Sequence, residues 1–333
     1  MSPVNLLEVK DLSVTFDTDE RTVGVLDNVC IDVKPGETLG IVGESGCGKS
    51  VTSLSIMRLL PQPAGKITNG SVFFDGQDLL GLSKEDMRTI RGRKIAMIFQ
   101  EPMTALNPVQ RVGVQMMESL KLHRSDMSKE EQRQECEKLL DRVGIPEPRL
   151  RLTEYPHQLS GGMRQRVMIA MALLHVPDIL IADEPTTALD VTIQAQILEL
   201  IAELQKQSGM SVIFITHDLA VIAEISDRVV VMYAGRVVEQ AKIKDLFENP
   251  RHPYTRGLLG SIPTLDGTPK TPLSTIPGMV PSFADMPSGC RFRNRCDYAQ
   301  ERCKTEVPAL KETGASHAVA CHYWQHVAQS TST

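Results

Sequence analysis

The sequence lacks any long hydrophobic run. Nowhere do about 18 apolar residues follow one another, which is the length that a membrane-spanning helix needs. The N-terminal residues also lack the basic stretch and apolar core of a secretory signal. We therefore expect a protein of the cytosol that has no membrane span of its own and reaches a membrane only through a protein partner.

A basic excess is also missing. The formal net charge is -5 and charged residues make up 23% of the chain, so no overall positive field is available to recruit nucleic acid. We expect no nucleic-acid partner. With 333 residues, the chain is long enough for one large domain and an appended segment.

The order of hydrophobic patterns predicts an α/β fold. Short β-branched alternations run from Leu6 to about Asp75, and they include ITNGSVFFDG, where Asn69-Gly70 predicts a hairpin turn. Helical periodicity marks a helical insert at about 101–175, and DILIAD, SVIFITH and RVVVMYAGRVVE then restore strands. We assign residues 1–249 to one domain and 250–333 to an irregular extension rich in proline and glycine.

The segment GESGCGKS at 43–50 fits the phosphate-binding pattern G-x-x-x-x-G-K-[ST]. It follows an apolar strand and precedes a helical stretch, so backbone N–H groups and the positive helix end would face phosphate oxygens. Lys49 would reach the β and γ phosphates, and Ser50 would ligate Mg²⁺. The predicted nucleotide-binding residues are Gly43, Glu44, Ser45, Gly46, Cys47, Gly48, Lys49, Ser50 and Val51.

Polar residues close three further apolar segments. Asp183 and Glu184 follow the strand in DILIADEP, where Asp183 could hold the metal's water shell and Glu184 could polarise an attacking water. Gln100 closes KIAMIFQ and His217 closes SVIFITH. Taken singly, each is also explained as a polar strand end, but open α/β sheets bind their ligands at such ends.

A fifth motif, LSGGM at 159–163, connects these features. In this order and at these spacings, the chain resembles the nucleotide-binding subunits of ATP-binding-cassette (ABC) transporters over about residues 6–245. The resemblance implies a P-loop ATPase core with an antiparallel β subdomain and a helical subdomain. It also implies that two subunits sandwich two ATP molecules head to tail. The family usually has glutamine where Met163 stands.

The resemblance assigns further roles to residues. Ser160, Gly161 and Gly162 would bind the ATP held by the opposing subunit, and capping of the following helix by Ser160 suits an anion. Gln100 would sense the γ-phosphate and Mg²⁺, and His217 would touch the γ-phosphate. The two remaining assignments are Asp190, in contact with the opposing subunit, and Phe16, stacked on adenine or else buried in the core.

Four of the seven cysteines lie in the last 44 residues of the chain: Cys290, Cys296, Cys303 and Cys321. They are separated by five, six and seventeen residues and lack C-x-x-C pairs. Four thiolates can enclose Zn²⁺ or an iron–sulfur cube, and the spacing does not choose between them. The arginines among them (291, 293, 295 and 302) would offset thiolate charge or form a solvated basic loop.

Together with RHPYTRGLL at 251–259, the cysteine cluster resembles the C-terminal extension of ATPase subunits from bacterial dipeptide and oligopeptide importers, of the dipeptide permease type in particular. That resemblance favours a [4Fe–4S] cluster over Zn²⁺. It implies a paralogous second ATPase subunit, two transmembrane permease subunits and an extracytoplasmic peptide-binding protein. The chain would work as a peripheral protein on the cytoplasmic face of the inner membrane. Nickel, glutathione or antimicrobial peptides as cargo, or a soluble ATPase switch, remain as alternatives.

Overall fold

The structure is a computed structural model that describes residues 5–100, 105–124, 126–186, 191–262, 275–314 and 316–329. Its strands are, in chain order, β1 (Leu7–Asp17), β2 (Thr22–Val33), β3 (Thr38–Val42), β4 (Gly65–Phe74), β5 (Gln77–Asp78), β6 (Ile95–Ile98), β7 (Ile179–Asp183), β8 (Ser211–Thr216), β9 (Arg228–Tyr233), β10 (Arg236–Lys242), β11 (Lys311–Gly314) and β12 (His317–Val319).

The α-helices of the same ranges are α1 (Lys49–Ile56), α2 (Lys84–Ile90), α3 (Val112–His123), α4 (Lys129–Arg142), α5 (Pro148–Arg151), α6 (Gly161–Leu173), α7 (Val191–Ser208), α8 (Leu219–Ile225), α9 (Ile243–Glu248), α10 (Pro253–Gly260), α11 (Glu301–Thr305) and α12 (Trp324–Gln329). None of these helices combines the length and the hydropathy that crossing a membrane requires.

The chain forms two compact units. The first comprises Met1–Leu80 and Phe214–Thr333, and the second comprises Gly81–Ile213. Strand β8 begins in the second unit and ends in the first.

The first unit contains an antiparallel sheet and part of a mixed sheet. The antiparallel sheet has the order β2-β1-β4-β5, and β1 alternates buried Leu7 and Val9 with more exposed neighbours, as its sequence pattern predicts. In the mixed sheet, β11, β12, β10, β9 and β3 are neighbours in that order. Strand β3 runs parallel to β9 and is buried along its whole length, which suits a strand covered on both faces.

The predicted hairpin turn at Asn69-Gly70 is wrong. Strand β4 continues through both residues, and its pairing with β1 shifts register between Lys10 and Ser13. Gly70 has φ 100°, and the Asn69 side chain donates to the carbonyl of Asp11 at 3.2 Å. An Asn-Gly pair supplies positive φ for a bulge as readily as for a turn, because the local signal is the same.

The extension after residue 249 is less irregular than its composition predicts. Its strands β11 and β12 pair with each other, and β12 pairs with β10 through Glu239↔Val319 and Gln240↔Ala318. These strands have four and three residues, which is too short for a recognisable alternation. Backbone pairing to an existing sheet edge, rather than a local pattern, forms them.

In the second unit, β6 and β7 run parallel, with Ile95 opposite Ile179 and Ile98 opposite Ala182. Helices α3, α4 and α6 pack together and bury apolar side chains such as Met116, Leu140 and Ile169. Helix α4 begins with a capping box in which Ser128 accepts from the Glu131 N–H and the Glu131 carboxylate accepts from the Ser128 N–H.

Candidate functional site

The glycine-rich loop lies in the first unit, between buried β3 and α1. An alanine Cβ at Gly43 would overlap the carbonyl oxygen of Met232, so only glycine lets the loop pass this close to β9. Gly48 has φ 101° and caps α1, where a side chain would meet Leu26. The loop is therefore shaped by its contacts with the sheet as well as by its own glycines.

Lys49 lies over this loop. Its side chain is 5% exposed, and its ammonium donates to the carbonyls of Gly43 at 2.8 Å and Glu44 at 3.1 Å. The predicted phosphate-binding lysine is thus held against the loop that it would serve. Cys47 is buried, and burial raises the pKa of its thiol, which suits an inert apolar side chain.

Glu44 is held by two residues that sequence reasoning did not assign to the site. Its backbone N–H donates to the Tyr254 hydroxyl at 2.8 Å. Its carboxylate accepts from Nη1 and Nη2 of Arg295 at 2.7 and 2.9 Å. Both partners belong to the segment after residue 249, which packs on the glycine-rich loop within the first unit.

The predicted catalytic pair meets within the second unit. Glu184 directly follows β7, is 9% exposed and has φ 46°, an uncommon backbone conformation for a residue with a side chain. The Gln100 amide donates to the Glu184 carboxylate at 3.0 Å. Asp183 ends the strand at 3% exposure. The Gln165 amide donates to the carbonyl of Pro185, which ties the turn after Glu184 to α6.

The signature loop also lies in this unit. Ser160 caps the 13-residue helix α6, and its hydroxyl accepts from the N–H of Met163 at 3.3 Å. Ser160 and Gly161 are exposed, and a Cβ at Gly161 would meet nothing within 4 Å. A capped helix N-terminus with open space in front of it can accept an anion from another molecule.

The remaining predicted nucleotide residues are dispersed. His217 follows β8 and is exposed, and the next residue, Asp218, caps α8 by accepting from the N–H of Ala220 at 2.8 Å. Phe16 is half-buried in β1, and its ring lies where a side chain at Gly65 would be. Asp190 lies outside the described residues.

The four terminal cysteines line one small cavity in the first unit, together with aromatic side chains that include Phe292 and Tyr323. Burial and, to a smaller extent, the neighbouring thiols raise the pKa of Cys296 to about 12 and that of Cys321 to about 11. Nevertheless, no group of three His, Cys, Asp or Glu side chains in the described ranges is arranged to hold a metal ion.

The arginines around the cysteines have other partners. Arg291 donates to Asp27 at 2.5 Å and to the carbonyl of Ala234, and Arg295 pairs with Glu44. The alternative that these two belong to a solvated basic loop is therefore wrong. They are buried or nearly so, because each reaches a carboxylate far away in the sequence.

Comparison with known proteins agrees with these motifs. The family described as ABC transporter matches residues 26–187, and the family described as oligopeptide/dipeptide transporter, C-terminal region, matches residues 238–303. A putative peptide import ATP-binding protein of Brucella melitensis is 53% identical over 338 residues, covering 98% of this chain and 100% of that protein.

Two further proteins extend the comparison. The dipeptide transport ATP-binding protein DppD of Bacillus subtilis is 54% identical over 318 residues, covering 95% of this chain and 94% of that protein. Among solved structures, the dimeric ATP-binding cassette MJ0796 bound to ADP and Pi is 32% identical in sequence to this chain. The two structures superpose with a TM-score of 0.64, and the alignment covers 71% of this chain and 98% of the MJ0796 chain.

Proposed function

This chain belongs to the ATP-binding subunits of ABC peptide importers, and from that premise we propose that it hydrolyses ATP to drive peptide uptake through permease partners. Relatives more than 50% identical over nearly the whole chain carry that assignment, and the cassette fold of the solved structures agrees with it. The family expected from the motifs is thereby confirmed. We further propose that residues 1–249 form the nucleotide-binding domain and 250–333 its importer-type extension, which the two matched ranges support.

We propose that Glu184 polarises the water that attacks the γ-phosphorus, while the bond from that phosphorus to the β–γ bridging oxygen breaks and leaves ADP. The hydrogen bond from Gln100 supports this role, because it orients the carboxylate. Lys49 would exchange its loop carbonyls for phosphate oxygens. Ser50 and Asp183 offer the oxygen donors that Mg²⁺ prefers, and that ion would offset the charge of the phosphates.

The exposed cap of α6 supports a second proposal, that Ser160, Gly161 and Gly162 contact ATP held by a partner subunit. The partner would be a paralogous ATPase, both ATPases would lie beneath two permease subunits on the cytoplasmic face of the membrane, and an extracytoplasmic binding protein would deliver the peptide. Copurification of these subunits, with ATP turnover that requires the second ATPase, is the expected result. Full turnover by the isolated monomer would contradict it.

The catalytic assignment is tested with Glu184→Gln. We expect ATP binding within about twofold of wild type and turnover lowered at least about 100-fold, because the amide accepts a proton far less readily than the carboxylate. Glu199→Gln, an exposed acid on α7, is the matched control and should leave both quantities unchanged. Near-normal turnover in Glu184→Gln would refute the role of Glu184.

We also propose that Cys290, Cys296, Cys303 and Cys321 hold a [4Fe–4S] cluster. The shared cavity supports this proposal, and four thiols are the ligand set that such a cluster takes. Anaerobically purified protein should contain about four iron and four sulfide per chain, and Cys296→Ser should lose both. Stoichiometric zinc without iron would overturn the proposal in favour of a Zn²⁺ site.

A further inference from the structure

Glu44, the second residue of the glycine-rich loop, has a partner for each of its polar groups. Its N–H donates to the Tyr254 hydroxyl, its carboxylate accepts two hydrogen bonds from Arg295, and its carbonyl accepts from Lys49. Two of these three partners come from the extension. The extension therefore contacts the part of the loop that must turn its backbone toward phosphate.

Arg295 is itself rigidly held. Its side chain is 4% exposed, Nε donates to the carbonyl of Pro277 at 3.0 Å, and Nη2 donates to the carbonyl of Ile276 at 3.3 Å. Its guanidinium carbon lies 5.8 Å from the ring centre of Tyr233 and 5.9 Å from that of Phe292. Because the guanidinium is planar and fixed along both edges, the Glu44 carboxylate has one position in which both oxygens accept.

Tyr254 is equally constrained. It is fully buried, and its ring centre lies 4.7 Å from that of Tyr233 and 5.4 Å from that of Phe292. Its hydroxyl therefore cannot follow the loop if the loop moves. The Gly43–Glu44 peptide is fixed by this bond on one side and by Lys49 on the other.

The charge of Glu44 makes these contacts matter for nucleotide binding. A carboxylate beside a triphosphate site repels the ligand, whereas a carboxylate paired on both oxygens with a guanidinium is neutralised and turned aside. We propose that Arg295 and Tyr254 are positioning residues that keep Glu44 in place, with its carboxylate neutralised and turned away from the phosphates, so that the extension sets the affinity of the glycine-rich loop for ATP. The inference depends on the proposed function only in that this loop binds ATP.

The simpler explanation is that these contacts only hold the extension against the rest of the first unit. In that case Arg295→Ala would lower the free energy of unfolding, but the folded protein would bind ATP as wild type does. The two explanations predict different ATP affinities for one double variant. If the uncompensated carboxylate is what harms binding, then Glu44→Gln should repair Arg295→Ala.

The experiment measures the dissociation constant for ATP, KM and kcat on the full chain with its partner subunits. We expect Arg295→Ala to weaken ATP binding and raise KM roughly fivefold to tenfold with kcat within about twofold, since one unneutralised charge acts on bound and reacting phosphates alike. Tyr254→Phe should weaken binding in the same direction. Arg295→Lys should fall between, because a lysine cannot span both oxygens.

The matched control is Arg293→Ala. Arg293 lies two residues away, and its guanidinium donates to the carbonyls of Ser288 and Lys304, with no bond to the glycine-rich loop. It should leave the dissociation constant unchanged. The double variant Glu44→Gln/Arg295→Ala should bind ATP more tightly than Arg295→Ala, and so recover most of the lost affinity.

The outcomes separate this inference from the proposed function. If wild type binds ATP and Lys49→Ala does not, the loop is the nucleotide site. An unchanged dissociation constant in folded Arg295→Ala, or a double variant no better than that single variant, then overturns the positioning role alone. If wild type itself fails to bind ATP, the proposed function fails first.

Discussion

Glu239, in β10, is the buried carboxylate that fastens the extension to the mixed sheet. It is 0% exposed, and it accepts from the N–H of Arg251 at 2.6 Å and from the N–H of His252 at 3.0 Å. His317 Nε2, on β12, lies 2.8 Å from the same carboxylate, to which it donates in the tautomer that carries the proton on Nε2. Replacing Glu239 should therefore release three groups together.

The size of the effect follows from these contacts. Glu239→Ala leaves three buried donors without their acceptor, and the loss of one partner in a buried charged network costs about 3–5 kcal/mol. Glu239→Gln keeps one carbonyl oxygen. If that oxygen faces Arg251 and His317, the glutamine keeps two of the three hydrogen bonds. Its NH₂ group then faces the N–H of His252, and we expect the free energy of unfolding to fall by about 1–2 kcal/mol.

Urea unfolding followed by far-UV circular dichroism gives the free energy of unfolding for each variant. Glu248→Ala is the control, because this exposed acid on α9 pairs with Lys244 at 3.8 Å and should change stability by less than about 0.5 kcal/mol. A Glu239→Ala protein within about 1 kcal/mol of wild type would refute the reasoning. Equal losses in Glu239→Ala and Glu239→Gln would show that the hydrogen bonds are not what matters.

Two further stability predictions follow from single positions. Gly235→Ala should lower the free energy of unfolding in urea by more than about 2 kcal/mol, because Gly235 has φ 79° and a Cβ there would overlap the carbonyl of Val25. The control Gly76→Ala has a similar φ of 77° but open space around the Cβ, so it should cost only about 1 kcal/mol. Burial lowers the pKa of His175, in edge contact with His123, below the ordinary 6.5. The unfolded state then binds more protons, so the stability of wild type relative to His175→Gln should fall as pH drops below 6.5, and parallel profiles would contradict this.

Local sequence patterns predicted those parts of the fold that depend on contiguous residues. The buried five-residue β3 and β7 and the glycine-rich loop lie in contiguous segments whose composition reflects burial on both faces or a tight backbone turn. The same reasoning failed at Asn69-Gly70, because a bulge and a turn need the same backbone conformation. It failed again at β12, where pairing with β10 decides the conformation and the sequence separation is about 80 residues.

The contacts of the candidate site divide in the same way. Gln100 and Glu184 each follow an apolar strand, so their meeting could be expected from parallel pairing of β6 with β7. The bond of Arg295 to Glu44 joins residues 251 apart, and no periodicity spans that distance. Sequence reasoning accordingly predicted the side chains that meet at the ends of neighbouring strands and missed those that hold the glycine-rich loop.

A signal for Arg291 and Arg295 does exist in the sequence, and it is the absence of local partners. Arg302 pairs with Glu306 four residues later, and its side chain remains half-exposed. Neither Arg291 nor Arg295 has an acid three or four residues away on either side. Because an arginine among aromatic residues is buried only with a carboxylate, such residues must find distant acids, here Asp27 and Glu44. An arginine without a local acid, flanked by residues that cannot face water, thus indicates a long-range contact with a carboxylate, and that carboxylate can serve a second arginine as well, as Asp27 does for Arg236.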